Sequence, residues 1–387
     1  MQRQAPSVSI PRIGRAAAAA QVLRAGGSCR LRDDTMTIRI AAVEGITAPV
    51  AAAWLDRATE GAPLHLVVTG IRAQALGLGA HSGACVALTL PVGTPLDRLA
   101  ALACLAGMQA GRGDAARLAA GPASLVERAG VQLARRAGLL PAVLALPDRQ
   151  APGRADMALA AAPLLAPPEL ALERVVETRL PIAATERARL ILFRGDPVER
   201  EPLALLIGEP NAKDVPLVRL HSECLTGDLF GSLRCDCGEQ LDGAIGRMAE
   251  AGSGVLLYLR QEGRGIGLSN KLRAYRLQDQ GLDTLDANTH LGFAPDERDF
   301  AIAAAMLKQL GLVRVRLLTN NPDKLSALVA QGIEVLERVP LSFAANRYNR
   351  RYLATKATRS GHMLQTLLGE APAGGRARIA AGEPPWA

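Results

Sequence analysis

Apolar residues recur in short runs along this chain, and glycine or proline separates many of these runs. In the first 150 residues, short apolar runs predict strands at 37–43, 64–68 and 142–146. Longer stretches between the helix-breaking residues predict helices at 15–25, 95–110 and 124–137. Gly138 is a natural C-terminal stop for the last of these helices. The first half of the chain is therefore predicted to be an α/β unit.

From about residue 175 the pattern becomes a regular alternation of strands and helices. Apolar runs predict strands at 255–259, 313–318 and 333–336. Helices are predicted at 268–280, at 296–310 with Asp296 as the N-cap, and between the turn 320–323 and Gly332. Strand–helix–strand order favours a parallel or mixed sheet, which binds ligands at the carboxyl ends of its strands.

Composition marks the boundaries between the domains. Alanine and proline accumulate at 151–172, which predicts a linker between a domain at 15–150 and a second domain at 173–366. Residues 1–14 are predicted to be a disordered tail or a targeting segment, and the Gly/Ala/Pro-rich residues 367–387 a second disordered tail. The predicted fold class is thus α/β with two α/β domains, and the C-terminal domain has a mixed sheet with flanking helices.

The net charge of +8 does not alter the predicted two-domain α/β organisation, because most of this charge comes from the N-terminal residues. Residues 1–32 contain six arginines and no acidic residue, whereas the rest of the chain is nearly balanced. This segment is either an organelle transit peptide or, as we favour, a disordered tail that leads into an Ala-rich helix. A nearly neutral body with 3% aromatic residues does not favour nucleic-acid binding.

Hydropathy and cysteine usage limit the cellular context. No apolar run reaches 18 residues, so no membrane span is expected. Six cysteines in a chain of 387 residues do not form a disulfide framework, and three of them lie close together, which favours reduced thiols in a cytoplasmic protein.

The strongest chemical pattern is the group of Cys224, Cys235 and Cys237. Zinc prefers thiolate ligands, and three protein ligands leave a fourth tetrahedral position for water, as in catalytic sites. Two other interpretations stay open at this point. The thiols can simply be buried, or a histidine such as His221 or His290 can complete a closed structural site.

Three further segments have the composition of ligand-binding loops. Residues 262–267 (EGRGIG) follow a predicted strand, and glycines there let backbone N–H groups approach a phosphate. Residues 319–324 (TNNPDK) lie where a strand ends and a helix begins. Asp296 and Arg298 open a predicted helix, although charges in a first turn are also common on surfaces.

Considered together, these segments resemble GTP cyclohydrolase II in order and spacing. The resemblance extends over about residues 173–365, and its motifs are RLHSECLTGD at 219–228, SLRCDCG at 232–238, RQEGRGIG at 260–267, KLRAY at 271–275, LGFAPDERDF at 291–300, LLTNNP at 317–322, YLATK at 352–356 and GH at 361–362.

The resemblance implies a complete enzymatic assignment. It implies hydrolysis of GTP to 2,5-diamino-6-(5-phosphoribosylamino)pyrimidin-4(3H)-one, formate and pyrophosphate, the first step of riboflavin biosynthesis. One catalytic Zn2+ per chain would be held by Cys224, Cys235 and Cys237, Mg2+ would accompany the phosphates, and the protein would be a homodimer. The GTP-binding residues would be Arg219, Leu220, His221, Ser222, Glu223, Gln240, Glu262, Gly263, Arg264, Thr284, Thr319 and Lys324.

The resemblance also implies the catalytic residues. Tyr275 would orient water, Asp296 would accept a proton, and Arg298 would attack the α-phosphate. A guanidinium stays protonated at ordinary pH, so Arg298 can equally act by stabilising charge on the phosphate. Either Glu262 or Glu223 would accept the N–H donors of guanine.

The N-terminal half resembles a degenerate dihydroxybutanone-phosphate synthase at residues 133–142 (LARRAGLLPA). The acidic cluster of that family is replaced by DDTMTIR at 33–39, and its Gly-His-Thr-Glu motif by LVER at 125–128. We therefore expect an inert domain. The alternatives are a bifunctional enzyme, a paralogue with an altered product and, from another class, a zinc-stabilised nucleic-acid-binding protein.

Overall fold

The computed structural model describes residues 14–58, 63–79, 84–106, 111–148, 158–166, 170–196 and 201–363. It divides the chain into two compact units, which meet in sequence between Pro167 and Pro168. Both predicted tails lie outside the described residues, except for Gly14. These tails are residues 1–14 and 367–387. Among the described helices, none is long and apolar enough to cross a membrane.

The first unit is an α/β unit with a seven-stranded sheet. Its helices are α1 (Arg15–Arg24), α2 (Ala48–Ala58), α3 (Gly70–Ala75), α4 (Leu96–Leu102), α5 (Arg112–Ala115), α6 (Leu125–Arg136) and α7 (Ala162–Leu165). Its strands are β1 (Ser28–Arg32), β2 (Thr37–Ala42), β3 (Leu64–Thr69), β4 (Cys85–Leu90), β5 (Ala120–Pro122), β6 (Ala142–Pro147) and β7 (Leu159–Ala160). The strand order is β5-β4-β3-β6-β2-β1-β7, and every neighbouring pair is antiparallel except β1 and β7.

Helix α6 shows how the sequence builds this unit. Ser124 caps the helix and forms a capping box with Glu127, and Gly138 follows its C-terminus with a φ of 70°. Val126 is fully buried in the cluster that packs α6 against the sheet. The predicted helix at 124–137 is therefore confirmed, and its second residue is part of the hydrophobic core.

The second unit contains the predicted mixed sheet. Its strands are β8 (Ala171–Arg179), β9 (Ala188–Asp196), β10 (Leu203–Ile207), β11 (Leu217–Ser222), β12 (Gly254–Leu259), β13 (Arg314–Leu318) and β14 (Glu334–Val339). Its helices are α8 (Leu225–Asp228), α9 (Cys237–Glu250), α10 (Leu268–Asp279), α11 (Thr284–His290), α12 (Ala301–Gln309), α13 (Pro322–Ala330) and α14 (Arg350–Arg359), with a 3-10 turn at Glu262–Gly265.

The order of this second sheet is β14-β13-β11-β12-β10-β9-β8. The first four strands are parallel and the other pairs are antiparallel. One face of the sheet packs against α12 and α13, and the other packs against α9. Because β11, β12 and β13 are parallel neighbours, the loops that follow them lie at one edge of the sheet.

Three predictions about local structure were wrong. Asp296 is not an N-cap, because α12 begins at Ala301 after Phe300 and residues 294–300 form a loop. The helix predicted at 95–110 ends at Leu102, and Cys104 then has a φ of 69°. Part of the predicted linker is ordered, since β7 pairs with β1 inside the first sheet and α7 follows it.

Candidate active site

Three parallel strands deliver the candidate residues to one edge of the second sheet. Arg219 and His221 lie on β11, the glycine-rich loop follows β12, and Thr319 follows β13. In the loop, Gly263, Arg264 and Gly265 all have φ values between 60° and 90°. This left-handed backbone is easy for glycine and rare for arginine, so it fixes the direction in which Arg264 leaves the chain.

The thiols of Cys224, Cys235 and Cys237 form one cluster. Their three sulfur atoms lie within 4.8 Å of one another, and the Sγ atoms of Cys224 and Cys235 are 3.7 Å apart. Cys224 immediately precedes α8 and Cys237 begins α9. The positions of these two thiols are therefore determined by the starts of two helices. Gly227 makes the close approach possible, because a Cβ there would lie 2.9 Å from Cys235 Sγ and 3.1 Å from Cys224 Sγ.

The geometry of this cluster fits a metal ion with tetrahedral ligands. Two sulfurs at about 2.3 Å from a tetrahedral zinc would be about 3.8 Å apart, close to the observed separation of the first two thiols. Among the described residues, no histidine or carboxylate joins the three thiols in this group. His221, one of the two candidates for a fourth ligand, instead places its Nε2 3.1 Å from Asp228 Oδ1.

Lys271 and Glu262 form a buried pair next to the thiols. The Lys271 ammonium donates to Glu262 Oε1 at 2.8 Å, to Thr226 Oγ1 at 2.9 Å and to Cys224 Sγ at 3.1 Å. Glu262 also accepts the backbone N–H groups of Leu225 at 2.7 Å and Gly263 at 2.9 Å. No role was predicted for Lys271 from the sequence, although it begins the motif at 271–275.

A second cavity adjoins the thiol cavity and is strongly cationic. It has an empty volume of about 660 Å³, and within the described chain no carboxylate lines it. Five residues line both this cavity and the thiol cavity of about 700 Å³, namely Ser222, Cys237, Arg264, Arg298 and Tyr352. Five basic side chains line the cationic cavity, namely Arg219, Arg264, Arg298, Lys324 and Lys356.

Burial and mutual repulsion make this cavity suited to an anion. Burial lowers the pKa of Lys324 well below its usual value, and the nearby charges of Arg219 and Arg298 lower it further. The Lys324 ammonium donates to the carbonyl oxygen of Leu220 at 2.6 Å. Burial also lowers the pKa of Arg219 to about 10. Cations held in this way are stabilised when a polyanion enters.

Asp296 and Arg298 form an ion pair in the loop before α12. The Arg298 Nε donates to Asp296 Oδ1 at 2.9 Å. Burial opposes ionisation of Asp296, but the hydrogen bonds and charge of Arg298 outweigh it and hold the pKa of the carboxyl below its usual value. Burial likewise opposes the charge of Arg298, yet the contact with Asp296 raises its pKa. Arg298 is therefore held as a cation.

The remaining predicted residues lie around the same two cavities. Tyr275 borders the thiols, with its hydroxyl 3.5 Å from Thr226 Oγ1, and Thr284 and Glu223 line the same cavity. Gln240 accepts a hydrogen bond from Arg219, and Thr319 lines the cationic cavity. Leu220 takes part through its carbonyl oxygen alone. Arg234, Tyr352, Lys356 and His362 also line the two cavities, although no role was predicted for them from the sequence.

Known proteins resemble this chain in both halves. Residues 173–340 match the family model of GTP cyclohydrolase II. A GTP cyclohydrolase-2 of Azospirillum brasilense is 48% identical over 321 residues, which cover 80% of this chain and 83% of that protein. A GTP cyclohydrolase-2 of Xylella fastidiosa is 41% identical over 311 residues, covering 78% of this chain and 75% of that protein. Both alignments are too long to lie after residue 173 alone, so they extend into the first unit.

A third relative shares a shorter region. The riboflavin biosynthesis protein RibBA of Bacillus cytotoxicus is 55% identical over 166 residues, which cover 43% of this chain and 42% of that protein. The match to the A. brasilense relative combines high identity with coverage of most of both proteins. On this basis, the chain belongs to the GTP cyclohydrolase II family.

Proposed function

We propose that this enzyme hydrolyses GTP to 2,5-diamino-6-(5-phosphoribosylamino)pyrimidin-4(3H)-one, formate and pyrophosphate, in the pathway to riboflavin. The observation that carries the proposal is the pairing of a three-thiol cluster with a cavity of five cations, which share lining residues. The reaction needs a hydrolytic centre at the imidazole ring and a separate site for the triphosphate, and we assign these to the two cavities.

In this proposal, Cys224, Cys235 and Cys237 hold one Zn2+. Zinc held by these three thiolates would keep a fourth position for water and would supply the acidity that the hydrolytic opening at C8, with loss of formate, requires. Tyr275 borders this cavity with its hydroxyl beside Thr226 and is assigned to orienting water near the ring.

The guanine base is assigned to the thiol cavity. Both oxygens of Glu262 already accept hydrogen bonds from Lys271 and from two backbone N–H groups. Glu223 lines the same cavity and accepts a hydrogen bond from Arg260 Nε at 3.2 Å. We assign the N–H donors of guanine to one of these two carboxylates, Glu262 or Glu223. Gly263 shapes the loop that presents Arg264, and Thr284 lines the same cavity.

The triphosphate is assigned to the cationic cavity. Arg219, Arg264, Lys324 and Lys356 neutralise its charge, while Ser222, His221 and Thr319 line the same space. Arg298 stabilises charge on the α-phosphate during the release of pyrophosphate, and Asp296 orients Arg298 and accepts a proton. This role is more consistent with the raised pKa of Arg298 than nucleophilic attack by its guanidinium is.

Other parts of the assignment remain predictions from the sequence. These are Mg2+ bound to the phosphates, a homodimer, a cytoplasmic location and the absence of nucleic-acid binding. We propose that the first unit is a degenerate synthase domain without activity, because the apolar Val126 is fully buried where a polar active-site residue was expected in the related family.

The test is a quantitative product analysis with GTP. Zinc-loaded protein is expected to release formate and pyrophosphate in equal amounts, and removal of the metal with a chelator is expected to stop formate release. A Cys85→Ser variant, which alters a lone buried thiol of the first unit, serves as the control and should retain both products. Release of pyrophosphate with a formylated nucleotide would instead support the paralogue with an altered product.

A further inference from the structure

We propose that Lys271 is a positioning residue that compensates the charge of the thiol cluster and lowers the electron density on the Cys224 sulfur. This inference rests on the proposed function, since it takes Cys224, Cys235 and Cys237 as metal ligands. Neither the predicted catalytic residues nor the predicted GTP-binding residues include Lys271.

The first support is the arrangement around the ammonium. Lys271 is only 7% exposed, and its three N–H donors meet three acceptors, Glu262 Oε1, Thr226 Oγ1 and Cys224 Sγ, at 2.8, 2.9 and 3.1 Å. A lysine that served only to neutralise Glu262 would not need to contact a thiol. Gly263 permits this approach, because a Cβ at that position would lie 2.9 Å from Lys271 Cβ.

The second support is the balance of charge. Three thiolates around a divalent ion carry a net charge of −1. Glu262, which is only 2% exposed to solvent, adds a second negative charge. Lys271 is the cation in contact with both groups. Buried charge without compensation is strongly unfavourable, so loss of Lys271 should weaken binding of the metal.

The third support is the direct N–H to sulfur contact. A charge-assisted hydrogen bond withdraws electron density from its acceptor, and a less electron-rich thiolate donates less to a metal. A metal bound here would therefore be a stronger electrophile than one bound by three thiolates that accept no hydrogen bond from Lys271. For metal affinity in a variant without Lys271, the lost charge compensation outweighs the gain in donation, since loss of an outer-shell partner typically costs about 10- to 100-fold in affinity. A residue with a merely structural role would not alter the electronic spectrum of the site.

The experiment titrates Co2+ and Zn2+ into the full-length protein and its Lys271→Met variant. In the variant, the sulfur-to-cobalt charge-transfer band is expected to move to lower energy, and Zn2+ affinity is expected to fall by about tenfold, the worth of one charge-assisted hydrogen bond. Lys308→Met, which replaces an exposed lysine on α12, is the matched control and should change neither value.

Glu262→Gln separates the two possible roles of Lys271. It removes the carboxylate but leaves the ammonium on Cys224, so the band should stay in place or move to higher energy. A shift to lower energy in Glu262→Gln would overturn the proposal, and this test holds even if Lys271→Met does not fold.

The remaining outcomes distinguish this inference from the proposed function. A wild-type protein without any thiolate–cobalt band would refute the metal site and Lys271's role with it. A normal wild-type band that is unchanged in Lys271→Met, together with unchanged Zn2+ affinity, would refute the role of Lys271 and leave the proposed function intact.

Discussion

A single methyl group at Gly227 should open the thiol cluster without altering any candidate metal ligand. A Cβ at this position would lie 2.9 Å from Cys235 Sγ, 2.9 Å from Cys237 Cβ and 3.1 Å from Cys224 Sγ. Contacts below 3.0 Å essentially do not occur, so in the Gly227→Ala variant either the cysteines or the turn of α8 that carries residue 227 must shift, and both hold the cluster.

The cost can be worked from the packing. Inserting a methyl group into a closely packed site costs about 1–3 kcal/mol, and here the strain falls on the sulfurs themselves. If metal binding bears this cost, Zn2+ affinity should fall by roughly 5-fold to 150-fold, since 1.4 kcal/mol corresponds to tenfold. Because the apo-protein can relax more freely, its melting temperature should fall less than that of the zinc-loaded protein.

The assay is a competition titration of Zn2+ against a chromophoric chelator, with thermal melting of the loaded and apo-proteins. Gly246→Ala is the matched control, because Gly246 lies in α9 and a Cβ there meets nothing within 4 Å. That control should bind Zn2+ normally and gain about 0.5–1 kcal/mol from better helix propensity. Zn2+ affinity of Gly227→Ala within twofold of the control would refute the steric reasoning.

Three further predictions concern the cationic cavity and the first unit. Lys324→Met should raise the KM for GTP by about tenfold or more in steady-state kinetics. Its melting temperature should be unchanged or higher, because the variant removes a desolvated cation. An unchanged KM would contradict the phosphate assignment. Burial lowers the pKa of His362 to about 3, so between pH 6.5 and 3 the unfolded chain binds a proton that the folded chain does not. The free energy of unfolding should therefore decrease with falling pH by at most about 1.4 kcal/mol per unit from this group, and denaturant titrations of His362→Gln should show a smaller slope. The full-length protein should release no formate from ribulose 5-phosphate with Mg2+, and clear activity in that assay would establish a bifunctional enzyme.

The sequence was a good guide to elements whose limits are set by local chemistry. Ser124 with Glu127, and Gly138 after the last turn, define α6 through contacts within a few residues. The three cysteines were equally visible because their spacing is short. In such cases the determining interactions lie close together in the chain.

Features that depend on distant contacts were not predictable in the same way. Asp296 looked like an N-cap, but its carboxylate accepts hydrogen bonds from Arg298 and the helix begins five residues later. The sequence predicted no role for Lys271, because only the fold brings it to Cys224, 47 positions earlier in the chain. Lys356 reaches Asp236 across 120 positions, so its place in the cationic cavity required the structure.

If the thiol cavity opens the ring and the cationic cavity releases pyrophosphate, single substitutions should separate the two products. Formate and pyrophosphate are measured from GTP with two variants, Cys235→Ser and Arg298→Ala. Cys235→Ser should lose zinc and produce no formate while still releasing pyrophosphate, because the cationic cavity is unchanged. Arg298→Ala should keep its zinc and lose pyrophosphate release first. Equal loss of both products in both variants would contradict the assignment of the two steps to two cavities.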